Sequence, residues 1–261
     1  MNLDLRGKRA LVCGSTQGIG KAVALELALL GASVTLVARN ESQLNTVASE
    51  LSRLFNQQHE YLVADFNDPA RLRDLIHDYV SAKAIHILVN NTGGPPGGPI
   101  TEASTEAFLS AFSNHLVCNH ILAQAVIPGM RLAGYGRIVN IISTSVKQPL
   151  KNLGVSNTIR AAVANWSKTL SGEVAVHGIT VNNVLPGATN TIRLQSLIEA
   201  KAQKTGHPIE SVRQEMIEEV PMHRFAEASE IANAVAFLAS PAASYITGIN
   251  VPVDGGRTSS L

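Results

Sequence analysis

The sequence predicts a single α/β domain, a doubly wound parallel sheet with helices on both faces. Three observations predict it. Short apolar strands alternate with longer amphipathic helices from end to end, the pattern of a sheet buried on both faces. A glycine-rich turn joins the first strand to the first helix. No linker, repeat or low-complexity tract divides the 261 residues, and that length suits one large domain with a sizeable core.

The elements follow in order. RALVCG (9–14) reads as a strand and IGKAVALELALLG (19–31) as a helix closed by Gly31. SVTLVAR (33–39) is the next strand, after which Asn40 caps a helix with Gln43 three residues on. YLVADF (61–66) is followed by Asp68–Pro69, an N-cap and first-turn proline that open another helix. IHILVNN (85–91), GRIVNIIS (136–143) and GITVNNVL (178–185) continue the strands. Between the last two, Val155, Ile159, Val163, Trp166, Leu170 and Val174 recur at helical spacing. Two stretches break the rhythm. NNTGGPPGGPI (90–100) is too rich in Gly and Pro for regular structure. The segment 192–225 contains a helix opened by Pro208, with Ile209, Val212, Met216 and Val220 on one face. Both fall where open α/β sheets bind ligands, so they are expected to form the walls and lid of a pocket.

Composition narrows the function classes. The formal charge is +1, with 21 basic and 20 acidic residues, so no basic stripe indicates nucleic acid. Cys13 and Cys118 are far apart in apolar surroundings, which suggests buried thiols in a reducing compartment and no metal site. The start carries no signal-peptide core, and no apolar run is expected to span a membrane. The expectation is a cytoplasmic protein.

Chemistry begins at CGSTQGIG, which places Gly14, Gly18 and Gly20 between a strand and a helix, with Ser15, Gln17 and Ile19 among them. Glycines permit a tight turn and close approach to a pyrophosphate, and the helix N-terminus offers free N–H groups. With NNTG (90–93), RIVNIIS (137–143), VNNVLPGATNT (181–191) and ITGINVPVDGG (246–256), the chain resembles the short-chain dehydrogenase/reductase family. Its look is that of the 3-oxoacyl-[acyl-carrier-protein] reductase branch. The resemblance covers nearly the whole length and implies a single-domain Rossmann-type fold. It implies that Asn90 steadies the central strand and that Gly93 lies along the cofactor, beside Asn91 and Thr92. Asp65, with Phe66, would meet the adenine; Pro186, Gly187, Thr189 and Thr191 would flank the nicotinamide. A carboxylate at the end of the second strand marks NAD-specific members; here Ala38 stands in that place, followed by Arg39. A guanidinium can fork onto a 2′-phosphate, so NADP(H) is favoured. NAD(H) stays open, because Gln17 stands where a second basic residue is often found.

The resemblance also implies a serine after the fifth strand, and a tyrosine and lysine one turn apart in the next helix. Ser143 matches the serine. The other two positions carry Ser156 and Arg160, and the four tyrosines (61, 79, 135 and 245) lie elsewhere. An aliphatic hydroxyl is a poor proton donor unless activated, and arginine does not deprotonate. Lys147, just past Ser143, and His115, at the family's asparagine relay position by ungapped spacing, are the remaining candidates for moving a proton; by residue type that position would be Asn114. Arg160 would still hold the cofactor ribose. Two readings stay open: an NADP(H)-dependent oxidoreductase acting on a small carbonyl or secondary alcohol with altered acid–base groups, or a dinucleotide-binding protein without turnover that acts as a sensor or assembly partner. A lyase-type reaction is a third. The resemblance further implies a homodimer or homotetramer, in which the outer face of the alanine-rich 154–170 helix, with Ala161 and Ala164, would meet a partner.

Overall fold

A computed structural model describes residues 1–260, and among them seven parallel strands form one sheet. In chain order the strands and main helices are β1 (Arg9–Cys13), α1 (Gly18–Leu29), β2 (Ser33–Ala38), α2 (Glu41–Glu50), β3 (Glu60–Val63), α3 (Pro69–Ala82), β4 (Ile87–Asn90), α4 (Thr105–Phe112), α5 (Cys118–Ala133), β5 (Gly136–Ile141), α6 (Gly154–Val174), β6 (Ile179–Pro186), α7 (Ile192–Thr205), α8 (Ile209–Glu218), α9 (Ala228–Ala239) and β7 (Asn250–Val253). The spatial order is β3-β2-β1-β4-β5-β6-β7. Connections therefore reverse direction between β1 and β4, which opens a crevice at the carboxyl ends of those strands.

Alternation within each strand sends side chains to two cores. Ala10, Val12, Val34, Leu36, Ile87 and Val89 pack under α1, α2 and α9. Leu11, Cys13, Leu88, Ile138, Ile179 and Val181 pack under α3, α5 and α6. Both cysteines are buried. Burial pushes the Cys118 thiol up to about 12 and the Cys13 thiol higher still, so both stay protonated packing groups. The expected caps form: Asn40 accepts from the Gln43 N–H at 3.0 Å, and Asp68 from the Arg71 N–H at 3.0 Å ahead of Pro69.

Four points depart from the sequence reading. The strand expected over 61–66 ends at Val63, because the Asp65 carboxylate folds back onto the Asn67 backbone and side chain and forms a turn. The 192–225 segment holds two helices, α7 and α8, on their own apolar cluster of Leu194, Ile198, Ala202, Val212 and Phe225. That excursion leaves and returns at one place, where Thr189 bridges Ala226. Ala164 is buried against Ile142, Val163 and Leu185 rather than lying on an outer face, whereas Ala161 is exposed. Finally, α4 and α5 join through a π-turn at Ser113–Val117 into a 29-residue helix that is long and apolar enough to cross a membrane by length and composition. Its apolar side, including Ile121, Leu122, Val126 and Met130, is spent on the sheet core.

One polar feature of the interior is not evident in the linear sequence. Asn90, Asn140, Asn183 and Asn250 occupy the same level of β4 to β7 by strand register. Each side-chain amide N–H donates to the next Oδ1, at 2.8, 2.9 and 2.8 Å. Asn140 also reaches Ser167 Oγ at 3.2 Å. The ladder fixes the relative register of the strands whose ends carry the candidate site. Replacing Asn140 with Leu leaves Asn90 Nδ2 and Asn183 Oδ1 without these partners, so a loss of about 2–4 kcal/mol is expected in urea unfolding.

Candidate functional site

The site is built where β1 meets β4. After Cys13 the chain turns at Gly14 (φ +58°) and again at Gly18 (φ +53°) before entering α1. A Cβ on Gly14 would stand 2.5 Å from the Asn91 carbonyl oxygen, and one on Gly20 would stand 2.1 Å from the Gly14 oxygen. Only glycine permits this approach. Asn91 secures it by donating from Nδ2 to the Cys13 and Gly14 carbonyls at 3.3 and 3.2 Å. Ser15 is buried and its hydroxyl accepts the Val37 N–H, so it ties the turn to β2. Gln17, at the N-cap of α1, makes no side-chain cap bond, which leaves the first-turn N–H groups without a side-chain acceptor. Ile19 is half-buried against the α1 core.

The other elements close around this turn. Thr191 Cγ2 lies 3.3 Å from the Cβ position of Gly18, bringing the segment after β6 against the glycine loop. Pro186 ends β6, and Gly187 lies tight against Asp254, where a Cβ would meet the Asp254 Cα at 2.7 Å. Thr189 is buried and donates to the Gly187 oxygen. Gly93 has open space where a side chain would be. Arg39 and Asp65 are exposed beyond β2 and β3, and Phe66 is half-buried, its carbonyl accepting from Cys118 Sγ. A glycine cradle, an uncapped helix start and open space at Gly93 fit a dinucleotide laid across the crevice.

The proton-handling candidates gather on the β4–β5 side of the same edge. Ser143 follows β5 and its Oγ accepts the Ser145 N–H at 3.1 Å, which leaves the hydroxyl proton free to donate. Lys147 is half-buried at the end of the short 3₁₀ turn Thr144–Val146, its N–H bonded to the Thr144 oxygen. Ser156 is half-buried one turn ahead of Arg160 on α6. Arg160 is only 8% exposed. Its Nη1 donates to the Ile141 oxygen at 2.9 Å and its Nη2 reaches the Thr92 oxygen at 3.5 Å. Burial, then the charge of Arg193, pulls its pKa down to about 10, still charged at neutral pH.

His115 sits within the π-turn, buried, with Nδ1 2.5 Å from Thr92 Oγ1. Asn114 instead turns away and donates to Asn67. Of the two relay candidates, spacing rather than residue type therefore identified the one that faces Thr92. Consecutive helical residues project about 100° apart, so the two side chains meet different neighbours. Burial first, and the Arg160 charge second, hold the His115 imidazole down to about 3, so it is neutral at physiological pH. The sequence reading missed Arg193, which donates from Nη2 to the Pro95 oxygen at 2.7 Å and ties α7 to the 90–100 loop. Nothing in its local sequence distinguishes it from a solvated helix residue.

Comparisons with known proteins place this arrangement. The family described as Enoyl-(Acyl carrier protein) reductase matches residues 14–258. The chain belongs to the short-chain dehydrogenase/reductase family. Among relatives of this family, 3-oxoacyl-[acyl-carrier-protein] reductase FabG of Pseudomonas aeruginosa is 34% identical over 257 residues, covering 97% of this chain and 98% of that one. NADPH-dependent reductase BacG of Bacillus subtilis is 29% identical, covering 97% and 99%. The structure of L-sorbose reductase from Gluconobacter frateurii, complexed with NADPH and L-sorbose, superposes with a TM-score of 0.93 at 32% identity over 100% of both chains.

The burial of His115 carries a stability consequence. Its folded pKa lies below the ordinary 6.5, so the unfolded chain binds the extra proton first and stability falls as pH drops below about 6.5. Between pH 7 and pH 5 this contributes about 2 kcal/mol of loss. His115→Asn should flatten the pH dependence of urea unfolding by that amount over the same interval.

Proposed function

We propose that the chain is an NADP(H)-dependent oxidoreductase that interconverts a carbonyl and a secondary alcohol with proton-transfer groups that depart from the family pattern. The observation that carries it is the meeting of the two half-sites on one sheet edge: the glycine cradle at Gly14–Gly20, and Ser143 with its free hydroxyl proton. When bound, the nicotinamide exchanges a hydride with the carbonyl carbon. Ser143 orients the carbonyl by donating to its oxygen. Arg39, beyond β2 where no carboxylate stands, supports a 2′-phosphate and hence NADP(H) over NAD(H); the NADPH-complexed sorbose reductase supports the same choice.

Ser156 and Arg160 stand at the positions where the family pattern has its tyrosine and lysine, and neither is a good acid at neutral pH. The proton is assigned to Lys147, or to His115 acting through Thr92. A neutral imidazole accepts on one nitrogen while releasing from the other, so His115 serves as a relay and not as a charged acid. Arg160 keeps a fixed positive charge at the site and would reach the cofactor ribose. The 192–225 excursion, pinned at Thr189–Ala226, forms the substrate lid. The same Ser156 and Arg160 favour a second reading, a dinucleotide-binding protein without turnover.

Calorimetry with NADPH and NADH, followed by cofactor oxidation across a panel of carbonyls on the same sample, separates the two. Saturable oxidation that falls roughly 10²-fold in kcat/KM for Ser143→Ala, with NADPH affinity kept within about twofold, supports the oxidoreductase. Binding without oxidation of any panel member supports the second reading. Arg39→Ala should weaken NADPH binding roughly tenfold and leave NADH affinity nearly unchanged.

A further inference from the structure

Two arginines in this chain are buried, and they are satisfied differently. Arg137, 3% exposed, is surrounded: its guanidinium reaches the carbonyls of Gly136, Gly178 and Ser240 at 2.8 to 3.3 Å and stacks 4.1 Å from the Tyr135 ring centre. Arg160 has one good carbonyl partner and one at 3.5 Å, and no ion pair among the described residues. The charged neighbour it does have is a second guanidinium, Arg193, whose charge opposes its own. Taking a cation out of water costs several kcal/mol unless it is paired, and a second cation beside it raises that cost.

The geometry between the two is specific. A Cβ on Gly94 would lie 3.7 Å from Nη2 of the exposed Arg193 and 3.8 Å from Nη2 of the buried Arg160, with no other group within 4 Å apart from the chain neighbours of Gly94. Glycine leaves that gap open. Arg193 is fixed from the other side by its bond to the Pro95 oxygen, and Arg160 by its bond to the Ile141 oxygen beside Ser143. Two oriented guanidinium nitrogens facing one gap are what a carboxylate needs, one N–H to each oxygen. A ribose hydroxyl reached by Arg160 is neutral and leaves the facing charge of Arg193 unbalanced.

We infer that Arg160 and Arg193 bind a carboxylate of the substrate across Gly94, so that the chain acts on oxo acids or hydroxy acids rather than on neutral ketones. This rests on the reading of the site as a carbonyl-reducing one, with the carboxylate anchored by the arginines and the ketone oxygen directed to Ser143. The other source of an anion at this place is a phosphate of the cofactor, and the test separates the two.

The probes are acetoacetate and its methyl ester, which differ in the carboxylate, presented to the full chain saturated with NADP⁺ for calorimetry and with NADPH for turnover. The expected result is that acetoacetate binds at least tenfold more tightly than the ester, and that Arg193→Gln abolishes that preference. Gly94→Ala, whose methyl sits at ordinary contact distance from both arginines, should reduce the preference without disturbing the fold. Carboxylate preference in binding without oxidation of NADPH upholds the anion site while the oxidoreductase reading fails. Oxidation with equal preference for acid and ester, unchanged in Arg193→Gln, overturns the inference and leaves the oxidoreductase reading standing. An Arg193→Gln variant that loses tenfold in NADPH affinity but keeps the acid preference also overturns it, and assigns the pair to the cofactor phosphate.

Discussion

The close approach of two backbones at the β1–β4 boundary is the constraint on which the rest of the site depends. Gly14 and Gly20 lie so near each other and Asn91 that no Cβ fits at either position, and Asn91 fixes the contact by donating to the carbonyls of Cys13 and Gly14. That contact sets α1 with its first-turn N–H groups toward the crevice and sets the loop after β4 along its other wall. A looser crossing would separate the two halves of the site, because the glycine turn follows β1 and Ser143 follows β5, on opposite sides of the reversal. The asparagine ladder extends this precision across β4 to β7, so that Ser143 and the segment after β6 keep a fixed height relative to the glycine turn.

Around this rigid edge the chemistry is electrostatic. The interior holds an uncharged imidazole at His115 and a charged guanidinium at Arg160, joined through Thr92: the side chain meets one and the carbonyl meets the other. The charge of Arg160 adds to burial in holding His115 neutral. No tyrosine stands in α6, and the titratable side chains nearest this edge, Lys147 and His115, are set by the turn after β5 and by the π-turn. The loop after β4 is tied to the start of α7 by the hydrogen bond from Arg193 to the Pro95 oxygen.

The sequence by itself determined the first six strands in order, the glycine turn and the caps at Asn40 and Asp68, because each follows from local periodicity or from a residue whose conformational role is local; β7 (Asn250–Val253) was not evident. It also determined that α6 offers Ser156 and Arg160 and no tyrosine, since that is a matter of identity and spacing. Tertiary structure decided what depends on distant residues. The turn at Asp65 shortened β3 through a side chain that closes on its own backbone, and α7 formed because Leu194, Ile198 and Phe225 bury one another. Ala164 went inward because β5 and β6 lie beneath it. His115 meets Thr92 while Asn114 meets Asn67, a matter of rotation about the helix axis that residue type does not report. The pairing of Arg160 with Arg193 joins positions 33 residues apart in the sequence, and only folding sets both guanidinium groups beside Gly94, so the charge of that gap is a property of the tertiary structure alone.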